Sequence, residues 1–191
     1  MLPSITDQVI LITGGASGIG LATAHLLLKH GAWLALCDIS KESTEKFFSE
    51  LDESQKKRVI TGVVDIADRS AVTAFLHLAK ETFGKVNGIA SIAGTAGRKL
   101  GHQEIWEIDT AEYDFVMDVN VRGAFNILSE AMRPGFLEPG ASIVHTASMF
   151  AERGFAKGSI YSASKHATVG LVKSAALEAG KHGSRVNLVL P

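Results

Sequence analysis

Short apolar runs alternate with longer stretches of mixed polarity along this chain of 191 residues. Short β-branched and apolar runs are typical of buried parallel strands, whereas apolar positions that recur every three or four residues indicate helices. The pattern predicts strands at 9–12, 33–37, 58–64, 88–92, 142–146 and 185–190. It predicts helices at 18–30, 41–51, 69–83, 110–132 and 159–182. This alternation predicts an α/β fold with a doubly wound parallel sheet and right-handed crossovers.

Residue types that are typical of helix starts and helix ends lie at the bounds of the predicted helices. The predicted N-caps are Ser40, Asp68 and Asp109, and the glycines that follow predicted helix ends are Gly31, Gly84 and Gly183. In a doubly wound sheet, ligands bind beyond the carboxyl ends of the strands. Small, acidic or hydroxyl residues fall at those ends: Gly14, Asp38, Asp65, Gly94 and Ser148. The sequence therefore predicts a ligand site along that edge.

The first strand leads directly into a glycine-rich turn at 13–20, and a predicted helix follows. In this context Gly14 permits a tight turn, Gly18 lets the backbone approach a pyrophosphate, and Gly20 allows close helix–strand packing. The helix N-terminus offers unpaired N–H groups and a positive dipole end to phosphates. The segment predicts a dinucleotide site.

Asp38 ends the second predicted strand, eighteen residues after Gly20. A carboxylate at this position accepts hydrogen bonds from the adenosine ribose and repels a 2′-phosphate. Cys37 is neutral, and the nearest cation is Lys41. We therefore expect NAD, with NADP less favoured; a capping or loop aspartate is the alternative interpretation of Asp38.

Tyr161 and Lys165 are four residues apart in a predicted helix, so both project from one face, one turn apart. A phenol has an ordinary pKa of about 10, and a nearby ammonium favours its phenolate form. The pair suits proton exchange with an alcohol or ketone, and Ser148 lies thirteen residues upstream. Taken alone, the spacing more often indicates only a partly solvated helix face.

The order and spacing of several motifs resemble those of the single-domain short-chain dehydrogenase/reductases. These motifs lie at 13–20, 93–94, 120, 148 and 161–165, and Asp65 follows the third predicted strand. The resemblance covers essentially the whole chain and implies one Rossmann-like, three-layer dinucleotide-binding domain at 1–191. It also implies that the usual last strand and the C-terminal substrate loop are missing. Because the chain stops after a strand and Pro191, we expect a sequence truncated at its C-terminus.

The resemblance implies roles for individual residues. Tyr161 would be the general acid/base, Lys165 would assist it and bind the nicotinamide ribose, and Ser148 would orient the substrate oxygen. Asn120 would kink the long helix at 110–132 and hold a water of a proton relay, which completes the catalytic set. The implied cofactor-binding set is Gly14, Ser17, Gly18, Ile19, Gly20, Asp38, Asp65, Ile66, Ala93, Gly94, Tyr161 and Lys165.

One sequence feature departs from the family pattern, and one residue near the expected site has no role in it. The family usually has an asparagine before Ala93 and Gly94 that braces the central sheet, whereas this chain has Ser91 and Ile92. Local stability or cofactor geometry is expected to differ there. His145 precedes the strand end that leads to Ser148, and we interpret it as structural.

Composition excludes several classes of function. With a net charge of −1 and 20% charged residues, nothing suggests a nucleic-acid or membrane partner. No segment approaches the roughly 18 apolar residues of a membrane span. The histidines lack metal-ligand spacing, so no metal site is expected. A single cysteine, Cys37, excludes an intrachain disulfide and favours the cytoplasm.

The sequence thus predicts an NAD(H)-dependent oxidoreductase that interconverts a secondary alcohol and a ketone. The residues beside the expected site are mostly apolar and indicate a nonpolar, small-molecule substrate; they are Thr95, Ala96, Met149, Phe150, Phe155 and Ala156. By resemblance, helices 110–132 and 159–182 would pair in a homodimer or homotetramer. The alternative function is an NAD-binding but catalytically inactive sensor or assembly partner.

Overall fold

A computed structural model describes residues 4–191, so the first three residues of the expected 1–191 domain lie outside the described part. Six strands form one sheet: Val9–Thr13 (β1), Trp33–Asp38 (β2), Val59–Val63 (β3), Gly88–Ser91 (β4), Ser142–Thr146 (β5) and Arg185–Val189 (β6). Their order is β3-β2-β1-β4-β5-β6, and every neighbouring pair is parallel. The predicted Rossmann-like α/β fold is confirmed, and each strand bound lies within one residue of its prediction.

Within residues 4–191, seven α-helices connect and cover these strands. They are Gly18–Lys29 (α1), Lys41–Ser49 (α2), Glu53–Lys56 (α3), Arg69–Phe83 (α4), Thr110–Met117 (α5), Gly123–Ala131 (α6) and Ser159–Ala179 (α7). The short helix α3 was not predicted. The helix predicted at 159–182 ends as α7 at Ala179 and continues as a 3₁₀ turn at Gly180–His182.

The long helix predicted at 110–132 is not uniform. A π-helical turn at Asp118–Arg122 separates α5 from α6 and contains Asn120, the residue at which a kink was expected. The pattern of apolar positions did not reveal this turn, because one extra residue per turn changes the apolar period only locally.

Alternating side chains of β1 explain the two layers of helices. Leu11 and Ile12 are adjacent, so they point to opposite faces of the sheet, and both are fully buried. Leu11 belongs to a core formed with α4, α6 and α7, whereas Ile12 belongs to a core formed with α1 and α2. Apolar side chains on both faces make the three-layer arrangement the one that buries them.

The predicted caps are confirmed. The Ser40 hydroxyl accepts a hydrogen bond from the Ser43 N–H, the Asp68 carboxylate from the Ser70 and Ala71 N–H groups, and Asp109 from Glu112. The glycines after the helix ends have positive φ: +85° at Gly31, +73° at Gly84 and +70° at Gly183. Local sequence therefore sets where the strands stop and where the ligand edge lies. Within residues 4–191, no helix has the length and apolar character that spanning a membrane demands.

We expect Asp68→Ala to lower the free energy of unfolding by about 1 kcal/mol, because two N–H groups at the start of α4 lose their acceptor. Asp68→Asn retains an acceptor oxygen and should cost clearly less. Urea denaturation measures both variants. Equal losses for Ala and Asn would show that the carboxylate charge, rather than the cap, stabilises α4.

Candidate active site

The residues predicted from the sequence meet in one cleft of about 520 Å³ at the carboxyl edge of the sheet. Those that line it are Gly14, Ser17, Gly18, Ile19, Gly20, Asp38, Asp65, Ile66, Ala93, Gly94, Ser148, Tyr161 and Lys165. Asn120 is the exception: it lies behind the wall of the cleft and is buried. The volume is within the roughly 300–1,000 Å³ usual for small-molecule sites.

The glycine turn is a cradle that side chains would fill. Gly14 has φ of +67°, and a Cβ on it would lie 2.7 Å from Ala93 Cα. A Cβ on Gly20 would overlap the Gly14 carbonyl. Gly18 also has positive φ, +48°, but the space where its Cβ would lie is open. Two of the glycines are thus required by close packing, and the third leaves room for a ligand against the backbone.

Helix α1 begins at Gly18 with its N-terminus at this cradle. Ser17 is the N-cap residue, but its side chain makes no capping hydrogen bond, and no acidic side chain lies in the first turn. The first N–H groups of an α-helix have no intrahelical partner, and the dipole makes this end positive. The arrangement fits an anionic phosphate group.

Asp38 supports two backbone segments at the edge of the cleft. Its Oδ2 accepts a hydrogen bond from the Ala16 N–H at 3.0 Å, and its Oδ1 accepts one from the Ser40 N–H at 3.1 Å. The carboxylate therefore fixes the glycine turn and the start of α2, and it also lines the cleft. Each oxygen keeps a lone pair for a ligand hydroxyl.

Thr13 joins the ends of β1 and β4, a role that the sequence did not reveal. Its Oγ1 accepts hydrogen bonds from the N–H groups of Ile92 at 3.1 Å and Ala93 at 3.2 Å. The side chain is fully buried. This link fixes the segment from Ala93 to Gly94 against the glycine turn.

The end of β3 supplies one more wall. Asp65 accepts a hydrogen bond from the Ala67 N–H at 2.9 Å, and the buried Ile66 packs over Gly123 so tightly that a Cβ there would overlap it. The Asn126 amide donates to the Ile66 carbonyl at 2.9 Å. Both predicted residues line the cleft, next to the exposed side chain of Ile39.

Asn120 connects the π-helical turn to the two walls around it. Its Nδ2 donates to the Thr95 carbonyl at 2.8 Å and to Ser164 Oγ at 2.9 Å, while its Oδ1 accepts from the Thr95 N–H at 2.8 Å. Thr95 and Ser164 are positioning partners that the sequence alone did not identify. Together these bonds fix the segment after β4 relative to α7.

Lys165 is a buried cation. It is 4% exposed, and its Nζ donates to the Thr146 carbonyl at 3.1 Å. Burial lowers the pKa of Lys165 to about 8. A Cβ on Gly94 would lie 3.3 Å from the ammonium and 3.2 Å from Asn120 Oδ1, so a glycine there leaves the ammonium its space.

Tyr161 and Ser148 complete the group. The Lys165 ammonium lies 5.8 Å from the centre of the Tyr161 ring, one turn of α7 away. Ser148 lies two residues after the end of β5, is buried, and accepts a hydrogen bond from the Phe150 N–H at 3.3 Å. The Phe150 ring packs edge-on against Tyr161 at 6.4 Å between centroids and lies 4.0 Å from the Phe155 ring. A phenol, a hydroxyl and an ammonium therefore meet beside an aromatic wall.

The position that lacks the usual asparagine has a different brace. Ser91 Oγ lies 3.0 Å from His145 Nδ1, and the two residues are register partners on β4 and β5. Both side chains are buried. Burial first, and the positive charge of Lys165 second, lower the pKa of His145 to about 4, so the imidazole is neutral near pH 7.

Among the described residues, no cluster of three or more His, Cys, Asp or Glu side chains could hold a metal ion.

Comparisons with known proteins show which proteins this chain is similar to. The family model for short chain dehydrogenases matches residues 8–191. A short-chain dehydrogenase/reductase, aba4 of Botryotinia fuckeliana, is 38% identical over 97% of this chain and 71% of its own length. Levodione reductase of Leifsonia aquatica is 36% identical over 97% of this chain and 69% of its own.

Solved structures extend the likeness to three dimensions. The levodione reductase crystal structure superposes with a TM-score of 0.87 over 98% of this chain and 72% of that one, at 36% identity. A xylitol dehydrogenase structure with bound NAD⁺ gives a TM-score of 0.89 at 29% identity, over 99% of this chain and 71% of that one.

His145 should make the protein acid-sensitive. Its folded pKa of about 4 lies below the ordinary 6.5, so the folded state favours the neutral ring. This contribution to stability is complete above pH 6.5 and is lost as the pH falls towards 4. Between pH 7 and pH 5 the free energy of unfolding should fall by about 2 kcal/mol more in the wild type than in His145→Gln. Urea denaturation at the two pH values measures this difference, and equal losses would contradict a neutral buried imidazole.

Proposed function

This chain belongs to the short-chain dehydrogenase family, and we propose that it is an NAD(H)-dependent oxidoreductase that interconverts a secondary alcohol and a ketone. One observation carries the proposal. The buried Lys165 ammonium lies one helical turn from Tyr161, in the same cleft as Ser148 and the glycine cradle. A proton-transfer group and a phosphate-binding helix end thus face one shared space.

The cradle fits a dinucleotide. The N-terminus of α1 would bind the pyrophosphate, Asp38 the adenosine ribose hydroxyls, and Asp65 with Ile66 the adenine. When bound, NAD would supply hydride transfer at its nicotinamide ring. The carboxylate of Asp38 supports NAD over NADP, because it would repel a 2′-phosphate.

Tyr161 is proposed as the general acid/base. Its phenolate accepts the hydroxyl proton during oxidation of an alcohol, and its phenol returns the proton to the oxygen during reduction of a ketone. The Lys165 ammonium, 5.8 Å from the centre of the Tyr161 ring, would assist it as a neighbouring positive charge and would bind the nicotinamide ribose. Ser148 would donate its hydroxyl hydrogen to the substrate oxygen, which orients that oxygen towards Tyr161.

Asn120 is proposed to hold the relay behind Lys165. Both Nδ2 protons and one Oδ1 lone pair are already used within the protein. A relay water would therefore bind the other Oδ1 lone pair or a carbonyl that the π-helical turn leaves without its usual donor. In either case Asn120 would support Thr95 and border the position of the relay water.

A nonpolar substrate is proposed from the walls of the cleft. Ala96, Phe115 and Val119 line it, and the stacked Phe150 and Phe155 rings continue the apolar surface beside Tyr161. Hydrophobic walls with few polar groups are usual for sites that orient an apolar molecule by a single oxygen. Ser148 and Tyr161 supply those polar groups.

A homodimer or homotetramer is proposed for the assembly, with α5, α6 and α7 in the interface. Apolar side chains stand exposed on and beside these helices: Trp106 is 78% exposed, Ile105 67% and Tyr113 47%. Exposed apolar side chains clustered in this way mark interaction surfaces.

The cytoplasm is proposed as the compartment. Cys37, the single cysteine, is buried and free, which supports a reducing environment.

We expect Tyr161→Phe to lower turnover by about 10²- to 10⁴-fold, since proton transfer loses its donor and acceptor. NADH affinity, followed by fluorescence, should remain nearly unchanged. Turnover is measured with levodione and xylitol as first probes, followed by a panel of secondary alcohols and ketones. Turnover by Tyr161→Phe at the wild-type rate would overturn the mechanism. Tight NADH binding without turnover of any probe by the wild type would favour the inactive sensor.

Asp38→Asn tests the choice of cofactor. The amide keeps an acceptor for one of the two N–H groups but removes the negative charge. The affinity for NADPH relative to NADH should rise about tenfold, as expected when 1.4 kcal/mol of charge repulsion disappears. Fluorescence titration with both cofactors gives the ratio, and urea denaturation controls for damage to the turn. An unchanged ratio would argue that Asp38 only supports the backbone.

A further inference from the structure

His145 has no part in the proposed mechanism, yet it precedes Thr146, whose carbonyl binds Lys165. The side chain is 2% exposed, and its Nδ1 is 3.0 Å from Ser91 Oγ. Its Nε2 is buried and has no hydrogen-bond partner within residues 4–191. A polar ring in an apolar core is costly unless its polar atoms are used, so this side chain calls for an explanation beyond packing.

Both members of the pair stand next to site residues. Ser91 is the last residue of β4, two positions before Ala93. His145 is followed by Thr146, whose carbonyl accepts the hydrogen bond from Lys165 Nζ at 3.1 Å. A displacement of the imidazole would therefore reach the ammonium through the backbone of the next residue, Thr146.

Electrostatics also connects His145 to Lys165. The charge on Lys165 contributes to the lowered pKa of His145, so the field of the ammonium reaches the ring. On the neighbouring strands, the register partners are Ser91 on β4 and Leu188 on β6, and neither carries a charge. A protonated ring beside the buried ammonium would repel it, whereas a neutral imidazole offers a dipole that an aliphatic side chain lacks.

We propose that His145, held by Ser91, is a positioning residue for Lys165. The neutral imidazole fixes the end of β5 so that the Thr146 carbonyl meets the ammonium, and the ring dipole helps to solvate the buried charge. This role rests on the proposed function, in which Lys165 assists Tyr161. It differs from a purely structural one because it acts on the ionisation of the lysine as well as on the stability of the sheet.

The test follows the Lys165 ammonium directly, by NMR of protein labelled with ¹³C at the lysine Cε atoms. The Lys165 signal is assigned by its loss in Lys165→Met, and its titration midpoint in the wild type is expected at about pH 8. In His145→Leu the midpoint should fall by about one pH unit, because the charge loses a polar neighbour and the fixed carbonyl. His145→Gln, which keeps a neutral polar group, should stay near the wild type.

Ile143→Ala is the matched control. Ile143 lies two residues earlier on β5, is fully buried, and points to the same face as His145. Its loss should destabilise the protein, which urea denaturation measures, while the Lys165 midpoint stays unchanged. A midpoint in His145→Leu that equals the wild-type value, or an equal fall in Ile143→Ala, would overturn the positioning role.

A reciprocal measurement decides the matter if His145→Leu does not fold. The imidazole of His145 should titrate at a higher pH in Lys165→Met than in the wild type, since a nearby positive charge has been removed. An unchanged imidazole midpoint would refute the coupling. Neither measurement requires cofactor or turnover. A protein that converts no probe alcohol or ketone but shows both shifts would therefore refute the proposed function and leave the positioning pair intact.

Discussion

All strands of the sheet run in one direction, and the rest of the molecule depends on this constraint. Parallel strands place their carboxyl ends along one edge, so Gly14, Asp38, Asp65, Ala93 and Ser148 become neighbours although they span most of the sequence. Thr13 then locks the two central ends with a pair of hydrogen bonds. The cleft follows from the parallel topology. Gly18 leaves open space beside the backbone of the glycine turn, where a ligand could approach.

The buried ammonium of Lys165 is the costly element of this arrangement. Charged groups lose solvation when they are buried, which is why its pKa falls to about 8. Part of the lost solvation is offset because the Thr146 carbonyl binds the ammonium, and Gly94 leaves room for it. Functional sites commonly carry such local costs, which the surrounding core offsets. Here that core comprises apolar side chains from β1 and from helices on both faces.

The Ser91–His145 pair shows how a chain can depart from a family pattern without losing the site. An asparagine amide that usually braces the sheet is replaced by a hydroxyl and an imidazole on neighbouring strands. The new pair joins β4 and β5 near the same edge, but it introduces a group that can gain a proton. Burial first, and the charge of Lys165 second, disfavour protonation of His145, so the brace is neutral near pH 7.

The sequence by itself determined the strand bounds, the starts of the main helices, the caps and the glycine, carboxylate, hydroxyl and ammonium residues of the cleft, because these depend on local periods, turn residues and strand ends. It did not show the short helix α3 or the π-helical turn between α5 and α6. It did not reveal the support roles of Thr13, Thr95, Thr146 and Ser164 or the pairing of Ser91 with His145. Those contacts join residues between 19 and 80 positions apart, and no local pattern records them. Tertiary structure alone also decided that Lys165 is buried, since burial, and with it the lowered pKa, depends on what other segments place around the side chain.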